Sequence, residues 1–256
     1  MKTLTTKPTS FATSAGAGLA RSLAAVDRSA FTRVELSAGL AAVALLGVLA
    51  LPALATGQSR GQGAQCLNNL RLVGRAVEMF ASDHVGQPSW RTYTTDGGTR
   101  PTSGTKPGAA WFEFAALSNE LATPRILACP ADTGVKVAAE FSNNGASGFM
   151  STGFRSMATS YFLTLDNIFN NPAWPLFGDR NLRFNGLANC VNGINNADRL
   201  SPFFTGQAEW TNAVHGLQGN IVRLDGGVHE TSGDQMRAIL RAGISDDFSL
   251  HFLRAR

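Results

Sequence analysis

"AFTRVELSAGLAAVALLGVLALPALA" (30–55) decides how the rest of the chain is read. After Glu35 there is no charged residue from Leu36 to Ser59, a run of 24. A helix needs about 20 apolar residues to cross a bilayer core of about 30 Å, so the run predicts a crossing at about 36–56. Pro52 lies inside it, and a membrane helix tolerates an interior proline because neighbouring groups satisfy the freed carbonyl. Glu35 is the residue out of place. An unpaired carboxylate at the edge of hydrocarbon is costly, so an ionisable side chain there is a functional candidate in search of a partner.

Towards the N-terminus, residues 1–30 are rich in Ala, Ser and Thr and carry Lys2, Lys7, Arg21 and Arg28 against Asp27 alone. They read as a basic leader that is cleaved and takes no part in the fold. This leader also accounts for the sequence pI of about 9.3. It holds three of the four net positive charges of the 256-residue chain. No basic stripe with interleaved aromatics is left to follow a phosphate backbone, which argues against nucleic acid as a partner.

Towards the C-terminus the apolar run passes into an amphipathic one. "CLNNLRLVGRAVEMFASDH" (66–84) places Leu67, Leu70, Val73, Val77 and Phe80 three and four residues apart. That is one apolar stripe on a helix. The two runs predict a single long helix over 31–85, amphipathic from about 64 to 83, with Gly57, Gly61 and Gly63 marking a candidate break. "HVGQP" ends it, with Gly86 near the C-cap and Pro88 beyond. "TYTTDGGTRPTSGTKPG" (92–108) predicts a mobile polar loop, "AAWFEFAALSNEL" (109–121) a short helix and "SNNGASGFMSTG" (142–153) a second loop. "SYFLTL" (160–165) and "NIVRL" (220–224) read as strands, with Asp225-Gly226 as hairpin-turn chemistry. "DQMRAILRA" (234–242) reads as a late surface helix N-capped by Asp234. A helix followed by short strands and long loops predicts an α+β domain over 86–256, built on an antiparallel sheet.

In register, the N-terminal stretch resembles type IV prepilins and type II secretion pseudopilins. In that family a prepilin peptidase cuts a basic leader before a residue that is usually Phe, and methylates the new amine. Glu is the fifth mature residue. Here the cut would fall between Ala30 and Phe31, and "FTRVE" puts Glu35 fifth and Pro52 twenty-second, where many pilins carry a helix-kinking proline. Ala30 stands where the family usually has Gly, and Arg33 where it usually has Leu. The resemblance implies a pilin-like α+β fold, N-methylation of Phe31, and pairing of Glu35 with a neighbour's amine. It also implies a single-pass chain in the bacterial inner membrane with its C-terminal domain in the periplasm. Its partners would be the prepilin peptidase and other pilin or pseudopilin subunits.

The C-terminal part resembles a group of large pseudopilin-like proteins. The likeness rests on His215, nine residues, then Asp225-Gly226, together with "QCLNNLR" (65–71), "CPAD" (129–132) and "GDRN" (178–181). Cys66 and Cys129 recur as a pair in that group, which implies a disulfide; two buried small apolar side chains are the alternative. Cys66, Cys129 and Cys190 have no zinc-ligand spacing. His215, Asp225 and His229 could be drawn as a metal site, but the hairpin accounts for them better, and no metal or other cofactor is expected. Family pseudopilins that bind Ca²⁺ through loop carboxylates make Asp132 or Asp179 the residues to examine, although no Asp/Asn-rich ligand loop is present.

Enzyme signatures such as G-x-S-x-G, H-E-x-x-H and G-x-x-x-x-G-K-[ST] are absent, and no catalytic residues are expected. Two alternatives stand beside a structural subunit. One is a secreted binding protein cut after "ALA" (53–55), an A-x-A site. The other is an uncleaved membrane anchor. Charge does not settle orientation, because Arg21, Arg28 and Arg33 precede the run while Arg60, Arg71 and Arg75 follow it.

Overall fold

The computed structural model describes residues 32–165, 171–184, 188–189, 194–195, 198–200, 207–243 and 250–254. The leader 1–30, the Ala30–Phe31 bond and Cys190 lie outside them. The chain forms two compact units, Met1–Ala50 and Leu51–Arg256.

In the first unit the described chain is the front of α1 (Arg33–Asp83). Val34, Leu36, Leu40, Val43, Leu45 and Leu49 are all exposed around this helix, each more than half accessible. Among the described residues α1 is the helix long and apolar enough to cross a membrane.

In the second unit α1 continues without interruption past the candidate break at Gly57, Gly61 and Gly63, as the single long helix expected. Its character then changes as the spacing requires. Cys66, Leu70, Val73, Ala76, Val77 and Phe80 are buried, while Leu67 is half-buried. Each large apolar side chain covered in this way contributes roughly 1.5–3 kcal/mol. The helix stops in a Schellman arrangement, with the Gly86 N–H donating to the Ala81 carbonyl at 2.7 Å. Gly86 is left-handed as predicted, but Val85 before it is left-handed too, with φ +55°. A β-branched residue is strained there.

Beyond α1 come α2 (Ala110–Ala116), α3 (Ser118–Leu121) and α4 (Gly233–Gly243). The strands are β1 (Lys106–Pro107), β2 (Tyr161–Thr164), β3 (Pro175–Asp179), β4 (Leu182–Arg183), β5 (Ala188–Asn189) and β6 (Ile194–Asn195). They continue with β7 (Asp198–Leu200), β8 (Glu209–Trp210), β9 (Gln218–Arg223), β10 (Val228–Ser232) and β11 (Leu250–Leu253). Seven of them make one sheet in the order β10-β9-β3-β2-β11-β7-β5. Every neighbouring pair in it is antiparallel. The layout is α+β.

Alternation along the strands covers both faces of this sheet. Tyr161, Leu163, Phe177, Val222 and Leu253 share a core with the α1 stripe and α2. Phe162, Ile221, Leu250 and Phe252 share the other with Trp174, Trp210, and Met236 and Leu240 of α4. The 224–228 hairpin turn is present, held by Arg223 N–H to Gly227 O at 2.9 Å. Gly226 sits at φ +76°, a conformation that suits glycine.

One local expectation is corrected. The cap of α4 is Ser232, not Asp234. Ser232 N–H donates to Gln235 Oε1 at 2.9 Å, and Asp234 sits in the first turn, where it favours the helix dipole. The 92–108 segment is tied to α2 at two points. Lys106 and Thr99 are buried, with Lys106 Nζ 2.7 Å from Glu113 Oε1 and Thr99 Oγ1 donating to Glu113 Oε2 at 2.5 Å. Burial raises the Glu113 carboxyl above its ordinary value, and the Lys106 charge opposes that rise.

Candidate functional site

Glu35 has a partner within its own helix. Thr32 Oγ1 accepts a hydrogen bond from the Glu35 N–H at 3.2 Å. Glu35 Oε2 accepts in return from the Thr32 N–H at 2.8 Å and from its hydroxyl at 3.0 Å. This is a capping box, which satisfies backbone donors that a helix start otherwise leaves open. The T-x-x-E signature of such a box runs from Thr32 to Glu35 in the sequence.

In the second unit, four separated patches converge on one place. "QCLNNLR" lies on the buried face of α1, where Cys66 is joined to Cys129 of "CPAD" by a disulfide across 63 residues. Asn69 Nδ2 of the same patch donates to the Ala128 carbonyl at 3.2 Å. "GDRN" closes β3. Its Arg180 grips Asp132 with two nitrogens, Nε to Oδ2 and Nη2 to Oδ1, both at 2.6 Å. Ser160 ties these pieces together, donating from Oγ to Asp132 Oδ2 at 2.7 Å and accepting from Cys129 N–H at 3.0 Å. Gly178 is required by packing, since a Cβ there would lie 2.5 Å from the Phe162 ring.

Asp179, fully buried beside Arg180, faces the fourth patch. Its Oδ2 accepts from the Asn220 N–H at 2.7 Å and from Asn220 Nδ2 at 2.9 Å. His215 Nε2 lies 3.4 Å from the same oxygen, 3.3 Å from Asn220 Nδ2 and 3.4 Å from Cys129 Sγ. Asp179 Oδ1 has no hydrogen-bond partner among the described residues. Burial pushes the Asp179 carboxyl up to about 7, against the two Asn220 hydrogen bonds that lower it. Burial likewise lowers His215, with Glu230 and Asp132 opposing, so the ring is neutral near pH 7. Tyr161, on the adjoining strand, is raised well above the ordinary phenol value by burial and then by Asp179.

The remaining predicted residues go elsewhere. Asp225 closes the hairpin turn, accepting from Gly227 N–H at 2.9 Å and pairing with Arg223 at 2.9 Å. His229 lies on β10, and its Nε2 is buried without a hydrogen-bond partner among the described residues. His215 contacts Asp179, Asn220 and Cys129, whereas Asp225 contacts Arg223 and Gly227 at the hairpin turn. Both oxygens of Asp132 are engaged by Arg180, Ser160 and Gly134, so Asp132 holds a guanidinium and two donors. Asp179 presents one free oxygen, far short of the six to eight that Ca²⁺ takes.

A cleft of about 580 Å³ leads to His215, lined also by Arg60, Leu67, Ala131, Gln218 and Glu230. The resemblance pairs Cys66 with Cys129, as the disulfide bears out, and sets His215 apart in another motif. The structure puts a ligand atom of each within 4.8 Å of the others. Spacing in the chain carried no sign of this. No protein-family model, curated protein or solved structure matches the chain.

Proposed function

We propose that the chain is a pilin-like structural subunit. It is cut between Ala30 and Phe31 by a prepilin peptidase, N-methylated, and held in the bacterial inner membrane with its globular domain in the periplasm. It assembles through its N-terminal helix into a type II secretion pseudopilus or a type IV pilus-like fibre. The observation that carries this reading is register: Glu35 stands fifth from Phe31, at the head of a helix whose first apolar side chains, Val34, Leu36, Leu40, Val43, Leu45 and Leu49, are all exposed. Such a surface needs lipid or neighbouring helices to cover it. Inside a bundle of those helices, a subunit whose Phe31 amine neutralises Glu35 is strongly favoured over one that leaves the carboxylate alone. The Cys66–Cys129 disulfide fits a domain in an oxidising compartment.

The capping box favours a second reading, a secreted or membrane-anchored binding protein in which Glu35 merely starts its helix. Glu35→Gln separates the two, because glutamine completes a capping box but carries no charge. Cysteines placed singly along 36–59 report neighbouring subunits by crosslinking, with leader removal followed on the same gel. The pilin-like reading expects normal cleavage and lost crosslinks. Wild-type crosslinking in Glu35→Gln would leave Glu35 a cap and favour the anchor.

A further inference from the structure

The Cys66–Cys129 bond closes off a coordination site that its reduction would open. His215 Nε2 is 3.4 Å from Cys129 Sγ and 3.4 Å from Asp179 Oδ2. A tetrahedral zinc ion takes sulfur at about 2.3 Å and nitrogen or oxygen at about 2.0–2.2 Å, which sets neighbouring ligand atoms roughly 3.4–3.8 Å apart. Two edges of such a tetrahedron are therefore already in place. The covalent bond between the two sulfurs keeps them from taking separate places about an ion. We propose that, once this disulfide is reduced, Cys66, Cys129 and His215 bind one borderline-soft divalent cation of the zinc type, with Asp179 as fourth ligand.

The step balances with a dithiol as reductant. The dithiol gives two electrons and two protons and leaves as its own disulfide, while Cys66 and Cys129 become thiols. The cation then displaces the two thiol protons, and the sulfurs bind as thiolates. His215 supplies a neutral imidazole nitrogen. Asn220 orients Asp179 from outside the ligand shell by donating to Oδ2, as outer-shell partners of metal ligands do. On reduction the two sulfurs must separate, and the Asp179 carboxylate must swing from His215 towards them to complete the shell. The cleft beside Leu67 and Ala131 gives a hydrated ion a path to His215, whose side chain is 10 % exposed.

Disulfide and metal compete for the same two sulfur atoms, so the states exclude each other. Either one fastens α1 to the 124–132 segment. In the reduced chain the metal takes over the fastening that the disulfide provides in the oxidised one.

Cobalt(II) is the probe, added to full-length chain in detergent, in a Cys190→Ser background so that no other thiol competes. A phosphine serves as the laboratory reductant because it does not chelate as dithiols do. The reduced chain should bind one equivalent of cobalt, showing a thiolate-to-cobalt charge-transfer band and the intense visible bands of a tetrahedral site. One equivalent of zinc should bleach them. The oxidised chain should show neither band. His215→Ala should weaken binding by more than the roughly 10–100-fold that loss of an outer-shell partner costs. Asp179→Asn, which keeps shape and volume, should change the visible bands while leaving the charge-transfer band. Three results would overturn the proposal: no cobalt bound by the reduced chain, equal binding by the oxidised chain, or unchanged affinity in His215→Ala.

Discussion

Reducing the Cys66–Cys129 bond removes a constraint from the unfolded chain while deleting no side chain from the folded one. The bond closes a loop of 63 residues. The loop-closure relation gives about 4 kcal/mol for that length at 25 °C. In a domain of this size each kcal/mol moves the melting temperature by about 2–4 °C, so the expected drop is roughly 10–15 °C. The assay is thermal unfolding followed by circular dichroism, with and without a phosphine reductant. A chelator is present throughout, so that no metal takes the place of the bond. Cys66→Ala/Cys129→Ala should melt at or below the reduced wild type, since both sulfurs are buried and their removal leaves space. Cys190→Ser should still lose the full interval on reduction. A shift under about 3 °C on reduction, hence under about 1 kcal/mol, would refute the reasoning.

Arg180→Ala leaves the Asp132 carboxylate buried without its guanidinium and should cost about 3 kcal/mol in urea unfolding, while Arg180→Lys should recover part of that. Val85 is 94 % exposed and left-handed, so Val85→Asn should relieve strain without losing contacts and raise stability by about 0.5–1 kcal/mol in the same assay. Tyr161 in the folded chain stays protonated beyond the ordinary phenol value of 10.0, because burial and the nearby Asp179 disfavour the phenolate. Above that value the unfolded chain has released a proton that the folded chain still holds, so stability falls as pH rises. In Tyr93→Phe, where Tyr161 is the remaining tyrosine, phenolate absorbance should appear only with alkaline unfolding; a separate earlier step would contradict the burial.

Much of this fold was legible because it rests on local patterns. The three-and-four spacing from Leu70 to Phe80 marked the buried face of α1, and Asp225-Gly226 marked the β9–β10 hairpin. The helix stop was legible to within one residue: glycine drew attention to position 86, while Val85 took the left-handed conformation beside it. The candidate site was not legible. Its contacts join Asp132 to Arg180 across 48 residues, Asp179 to Asn220 across 41, and Cys129 to His215 across 86. Each quoted patch contributed one side of a contact whose other side lay in another patch. Periodicity carries no information at such separations, and a histidine ten residues before an aspartate in the chain turned out to serve a different place. Glu35 is the opposite case. Its partner is three residues away, in a T-x-x-E signature that is local and readable directly from the sequence.

The pilin-like reading stands most directly on where the mature chain begins. Intact mass and N-terminal peptide sequencing of the protein, recovered from bacterial envelope membranes, decide it. The expected result is a chain starting at Phe31 with one methyl group on its amine. A chain starting at Thr56, or one that keeps residues 1–30, would contradict it.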